Sequence, residues 1–167
     1  MRVLQEPLTD KAQTVQRIFE LARQFSGDLD TVYAQLNSQT VPLSALTLIE
    51  YFDMVRRIPY RRDDEPVEVV ARPRVILQNF LHGIGKDCKK AAVLIGAYLE
   101  NKRVPWRLAV VSTRPDKEMH HIFPQGDIYL TGDFVNLDAT YSYMKPFSVK
   151  HVTDAEIYEP GASYPLR

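Results

Sequence analysis

The sequence predicts an α+β fold: helices first, then an antiparallel sheet. Three observations carry this. Apolar residues recur at helical spacing in several stretches before residue 101. Four short extended stretches then follow in close succession between residues 106 and 138. Two of them flank Thr131-Gly132-Asp133, a turn signal for a hairpin. At 167 residues, one domain over 1–167 is expected, long enough to bury a sizeable core.

The first helix is expected to start at Thr9 or Asp10 as cap and run to about Phe25, with Val15, Ile18, Phe19, Ala22 and Phe25 inward. Ser26-Gly27-Asp28 stops and restarts the chain. A short helix over about 29–36 follows from the spacing of Leu29, Val32, Tyr33 and Leu36. Residues 1–40 thus read as a helical N-terminal extension, too short for a core of their own. Pro42 and Ser44 open a third helix over about 45–57, with Leu46, Ile49, Phe52 and Met54 or Val55 apolar. Pro59 ends it and makes Ile58-Pro59-Tyr60 extended, because the residue before a proline avoids the helical region. Residues 66–71 are ambiguous. Pro73 begins another helix bearing Val75, Ile76, Phe80 and Leu81.

Gly83 and Gly85 make a tight approach to Asp87-Cys88. Asp87 is a good N-cap, and Ala91, Ala92, Ile95, Tyr98 and Leu99 mark one apolar stripe of the helix that Cys88 begins. Asn101-Lys102-Arg103 suits its C-terminus. Residues 106–112 form the clearest strand, with Trp106, Leu108 and Val110 on one face. Residues 120–123 form a second, cut by Pro124. Residues 128–130 and 134–138 form the hairpin, giving a sheet behind the Cys88 helix. After Asp138 the chain reads as surface-packed coil.

Composition narrows the function. Lys plus Arg and Asp plus Glu are both 21, so formal net charge is zero, and no nucleic-acid partner or anionic membrane is indicated. Arg56, Arg57, Arg61 and Arg62 cluster, but Asp63, Asp64 and Glu65 follow at once and offset them, as in a solvated charged loop. One cysteine cannot make an internal disulfide. With no apolar run of signal-peptide type in the first eleven residues and no transmembrane-length stretch, a cytoplasmic protein is expected.

The cysteine is where chemistry enters. Cys88 is expected at the first helical position, over the positive end of the helix dipole, which favours the nucleophilic thiolate. Lys89 and Lys90 add positive charge there. A free cysteine can equally be an inert packing residue. A cysteine nucleophile needs a base, and the base an orienting group. Strand alternation puts His121 with Phe123 on one face, and Phe134, Asn136 and Asp138 on one face of the last strand. If these strands are neighbours, His121 and Asp138 meet across the ladder, and the carboxylate fixes the imidazole tautomer with the other nitrogen toward sulfur. A register slip of one would substitute His120 for His121. The Cys88 backbone N–H is a natural oxyanion donor, while Gln78 and Asn79 are amide candidates better explained as an exposed helix face. His82 and His151 read as surface or satisfied histidines, and Trp106 and Tyr98 as core. A zinc site of Cys88, His121 and Asp138 has suitable ligand types but lacks close ligand pairs.

Asp-Cys before an alanine-rich apolar helix, Val104-Pro105 and a strand, then His-x-aromatic, then Asn136-Leu137-Asp138-Ala139-Thr140, resembles the transglutaminase-like superfamily. The likeness runs from about Tyr60 to Tyr141. It implies a papain-like fold, a catalytic core over 58–141, and a triad of Cys88 as nucleophile, His121 as base and then acid, and Asp138 as orienter. It implies no cofactor, and a protein or peptide substrate whose amide carbonyl forms a thioester with Cys88. Water then gives a protease or amidase, an amine a transamidase; hydrolysis is favoured, since the sequence shows no dedicated amine site. Ile58-Pro59-Tyr60 and the run from Val67 to Pro73 are similar to members encoded by bacteriophages or prophages. The sequence departs from the family pattern at Lys86, which replaces a glycine, at Lys89 and Lys90, where acidic residues are common, and at Pro124. The rival reading is a catalytically inactive protein-binding or phage assembly module of the same fold.

Overall fold

In the computed structural model, residues 11–62, 70–142, 152–161 and 165 are described. The expected cap at Thr9 or Asp10, the ambiguous stretch through residue 69, the acidic run 63–65 and His151 lie outside them.

The described residues form an α+β fold built round one helix. The helices are α1 (Lys11–Gln24), α2 (Leu48–Arg57), α3 (Pro73–Leu81) and α4 (Cys88–Asn101). The strands are β1 (Tyr33–Leu36), β2 (Gln39–Pro42), β3 (Trp106–Ser112), β4 (His121–Gly126), β5 (Val135–Asn136) and β6 (Asp154–Tyr158). Every residue of α4 from Lys90 to Leu99 is buried, so the expected single stripe is only part of what the helix packs. Helices α1, α2 and α3 and strand β4 all lie against it. Two approaches are close enough to need glycine. A Cβ on Gly96 would stand 2.6 Å from Trp106 Cη2 and 3.1 Å from Ala22 Cβ, so α1 and Trp106 reach α4 only because Gly96 has no side chain. Phe19 completes that contact, its ring centroid 4.8 Å from the Trp106 ring. Tyr98 stacks on Tyr51 at 4.5 Å and donates to Leu46 O at 2.7 Å, and Trp106 Nε1 donates to Glu100 Oε1 at 2.8 Å, as befits core residues with satisfied polar tips.

The main sheet has the order β5-β4-β3-β6, all antiparallel. Leu108, Val110 and Ile122 join the core with α4. Ala109, Val111 and Phe123, from alternate positions, form a second small cluster with Val152 and Ile157. Both faces of β3 are therefore covered. Among the described residues no helix is long and apolar enough to cross a membrane.

Several elements differ from the sequence expectation. Residues 29–36 are not a helix: a 3-10 turn, Ser26–Asp30, is followed by the hairpin β1–β2. Asn37 and Ser38 take φ of 49° and 66°, the two left-handed residues of a tight hairpin turn, with Leu36 opposite Gln39. Helix α2 starts at Leu48 rather than 45, because Thr47 and Glu50 form a capping box: Glu50 N donates to Thr47 Oγ1 at 3.3 Å and Thr47 N to Glu50 Oε2 at 2.8 Å. Ile49, Phe80 and Leu81, apolar residues of the expected helices, are exposed. Pro124 does not cut its strand, and β4 runs on to Gly126. Pro124 O accepts from Leu137 N at 2.8 Å, so its missing N–H faces the side where β5 is only two residues long and asks little of it. Residues 128–130 are not a strand. Asp127 carboxylate gathers a turn there, accepting from Thr131 N and Gly132 N, both at 2.9 Å, and Tyr129 and Leu130 project into solvent. The fourth strand of the sheet is instead β6, in the region expected to be coil, pairing Leu108 with Tyr158 through Ser112 with Asp154.

Candidate active site

Cys88 is the first residue of α4. Asp87, in extended conformation, is the N-cap, its Oδ1 accepting from Lys90 N at 2.9 Å. Before it, Gly85 lets the chain lie against the segment that follows α2: a Cβ there would stand 2.4 Å from Pro59 O. Lys86 then pairs in parallel with Tyr60, Lys86 N donating to Pro59 O and Arg61 N to Lys86 O, both at 2.9 Å. The extended Ile58-Pro59-Tyr60 is thus what seats the start of α4. Cys88 is half-buried and free, not sealed in hydrocarbon. Lys89 does not simply add charge beside it, because its ammonium pairs with Asp87 Oδ2 at 3.1 Å, and Lys90 is buried.

His121 opens β4, and Asp138 lies just beyond β5 on the neighbouring segment. His121 Nε2 and Asp138 Oδ2 are 2.7 Å apart. Asp138 is buried, and its second oxygen accepts from Thr140 N at 3.1 Å, which fixes the carboxylate in rotation. Nδ1 is left for the thiol. Burial works against a charged imidazole, but hydrogen bonds to Asp138 and Cys88, and the charges on both, outweigh it and raise the His121 pKa to about 9. Cys88, His121 and Asp138 therefore come together as a thiol–imidazole–carboxylate chain.

His120 is turned elsewhere. Its Nδ1 donates to Glu118 O at 2.9 Å and its Nε2 meets Thr113 Oγ1 at 3.0 Å, at the surface. His82 is exposed at the end of α3. Gln78 is exposed and Asn79 half-buried on α3, and no hydrogen bond joins either side chain to the three. Among the described residues no cluster of His, Cys, Asp and Glu could hold a metal ion, so the zinc arrangement of Cys88, His121 and Asp138 is not formed. A cavity of about 560 Å³ lined by Gln16, Phe19, Arg23 and Tyr158, among others, contains none of the three.

Three residues of the site escape the sequence reading. Tyr60 lies beside the sulfur: burial raises its phenol pKa, and the charges of Cys88 and Asp87 push the same way. Its ring is 5.0 Å from that of Tyr141, which in turn stacks at 6.1 Å on the His121 imidazole. Tyr141 thus covers the histidine, and Tyr60 backs Tyr141. The third is Lys86, wholly buried, with Nζ donating to Ile58 O at 2.8 Å and Thr140 O at 3.0 Å. The tyrosines stand in the sequence only as aromatics bordering the extended Pro59 segment and the Asp138 segment, and Lys86 only as a lysine where the family pattern has glycine. No known protein-family model, curated protein or solved structure matches the chain.

Proposed function

We propose that the protein is a cysteine-dependent enzyme that transfers an acyl group from an amide or peptide bond, in the manner of the transglutaminase-like, papain-like enzymes its sequence resembles. The observation that carries this reading is the His121–Asp138 contact of 2.7 Å, on an imidazole whose pKa the neighbouring Cys88 helps to raise. An imidazole in that setting takes the thiol proton and gives a thiolate–imidazolium pair. Cys88 Sγ attacks the carbonyl carbon, and its electrons move onto the carbonyl oxygen. As the first residue of α4, Cys88 has a backbone N–H with no acceptor within the helix, suited to meet that oxyanion. The intermediate collapses, the C–N bond breaks, and His121 delivers its proton to the departing amine. Water, deprotonated by His121, then attacks the thioester, releasing the acid and restoring the thiol. An amine in place of water gives transamidation from the same thioester. Asp138 holds the ring in one tautomer throughout and balances its charge. The substrate class is a protein or peptide, and no step calls for a cofactor.

Alkylation of Cys88 by iodoacetamide across pH tests the reading without knowledge of the substrate. An activated thiol reacts well below the ordinary cysteine pKa of about 8.5, and His121→Ala moves the profile up to that value. A wild-type profile that rises only above it, or one that His121→Ala leaves in place, refutes the enzyme and favours the binding-module reading. Ammonia release from a glutamine-rich protein, lost in folded Cys88→Ala, then establishes the acyl chemistry, and incorporation of a primary-amine probe separates transamidation from hydrolysis.

A further inference from the structure

A lysine with no exposed surface needs a reason. Lys86 is buried completely, yet the chemistry above does not use it. Its Nζ donates to Ile58 O at 2.8 Å and Thr140 O at 3.0 Å, two carbonyls from segments more than eighty residues apart in the chain. One segment carries Tyr60, whose backbone pairs with that of Lys86. The other carries Thr140, whose N–H holds Asp138 Oδ1 at 3.1 Å. Lys86 is thus one residue from the nucleophile's helix cap and one hydrogen bond from Thr140, the residue whose N–H orients the carboxylate. Its charge faces two acids, Asp138 and Asp87. Backbone carbonyls alone could be satisfied by a neutral donor at lower cost, since an ammonium loses much more hydration on burial than an amide does.

We propose that Lys86 is a positioning residue for the triad, tying the Thr140 peptide to the Tyr60 segment so that Asp138 stays in register with His121. The proposal rests on the acyl-transfer reading only for its consequence, because the contact it protects, His121 to Asp138, can be measured without turnover. Burial lowers the Lys86 pKa to about 8 against the opposing pull of Asp138 and Asp87, so at neutral pH the ammonium is mostly retained.

The sign of one measurement separates positioning from simple charge. The test follows the His121 ring by NMR through a pH titration in wild type, Lys86→Met and Lys86→Gln, with iodoacetamide reactivity of Cys88 at pH 7 alongside. The titratable groups that act on His121 are Asp138 and Cys88, and those that act on Lys86 are Asp138 and Asp87, with Tyr60 beside Cys88 and Asp87. Deleting a nearby cation by itself leaves the imidazolium where it is or makes it more stable. Losing the Asp138 contact does the reverse. Positioning therefore requires the His121 midpoint to fall by at least one pH unit toward 6.5 in Lys86→Met. Cys88 reactivity at pH 7 should drop on the order of tenfold, matching one pKa unit. Lys86→Gln, which keeps one donor for one carbonyl, should fall between. A midpoint that holds or rises in the folded variants overturns the proposal. So does failure of both variants to fold, which would make Lys86 a residue of the fold and not of the site. If His121 moves as expected while wild-type Cys88 proves unreactive, the positioning stands and the enzyme reading is what fails.

Discussion

Two buried aspartates, Asp28 and Asp138, are held by partners of different kinds. Asp28, in the 3-10 turn after α1, accepts Arg72 Nε at 2.9 Å on one oxygen and Arg72 Nη2 on the other, and takes Arg74 N at 3.1 Å besides. Burial alone would raise its pKa, but the Arg72 guanidinium and the Arg74 N–H hold it below the usual carboxylate value. The Arg72 guanidinium in turn lies over the Phe25 ring at 4.1 Å. Asp138 is equally buried, but its partner is an imidazole, which can give up its proton, and behind the imidazole stands a thiol. An arginine partner has a permanent charge and both carboxylate oxygens matched, so the first pair is a staple between the 3-10 turn and the start of α3. A histidine partner can change charge, so the second pair can pass a proton. On the acyl-transfer reading, what separates a structural acid from a chemical one is the titratability of its partner, not its own burial.

The largest test of this contrast is on rate. Asp138→Asn keeps size and hydrogen-bonding but offers an amide in place of the carboxylate, which leaves His121 without its counter-charge and free to take the wrong tautomer. A loss of about 10⁴-fold in the acyl-transfer rate is expected, as for removal of the buried acid behind a histidine base. Asp28→Asn should leave the rate and its pH profile unchanged. Denaturant unfolding should show the complementary result: Asp28→Asn breaks a charge-assisted pair that is largely out of solvent and costs about 2–3 kcal/mol of stability. If Asp28→Asn instead moves the pH–rate profile, the division between staple and proton carrier does not exist.

The same division explains what was legible in the sequence. Helix α4 and its cap are local: Asp87, Cys88 and the apolar run lie in one unbroken stretch, and β3 is readable because its apolar residues alternate. His121 and Asp138 could be paired because a strand has period two and their segments are neighbours. The hairpin β1–β2 was hidden because Leu29, Val32, Tyr33 and Leu36 fit helical spacing, while its turn uses Asn37-Ser38 instead of a glycine. Strand β6 pairs with β3 across more than forty residues, and nothing within 154–158 announces the partner. Thr47 and Glu50 did leave a local capping signal, and it outranks Pro42 and Ser44 as the start of α2. Lys86 is the least legible of all. In the sequence it stands only as a departure from the family's glycine, and its role appears once the carbonyls of Ile58 and Thr140 are brought to it.

The smallest expected effect concerns stability against pH, where the two aspartates should act in different windows. His121 has its pKa raised from 6.5 to about 9 by Asp138 and Cys88, so the folded state holds a proton that the unfolded chain gives up first. The stabilisation from that pair is fully present below about pH 6.5, declines as pH rises, and is gone above about 9. The slope cannot exceed one proton's worth, about 1.4 kcal/mol per pH unit. Lys86 acts in the opposite sense. Its folded pKa of about 8 lies below the ordinary 10.5, so the cost of burying its charge is relieved between those values, opposing His121 where the two ranges overlap near pH 8 to 9. The clean window is therefore pH 6.5 to 8, read in Cys88→Ala, where no thiol can supply the imidazole's proton and leave the proton count unchanged; there unfolding free energy from denaturant titration should fall with pH. Asp138→Asn should flatten that fall, because the imidazole loses the partner that raised it. Asp28→Asn should keep it, and should instead lose stability dependence at the acid end, where the wild-type pair is present above the ordinary aspartate pKa of 3.8 and lost as pH drops through the lowered one. A fall between pH 6.5 and 8 that survives Asp138→Asn would mean that the proton sits elsewhere, and that Asp138 is a second staple.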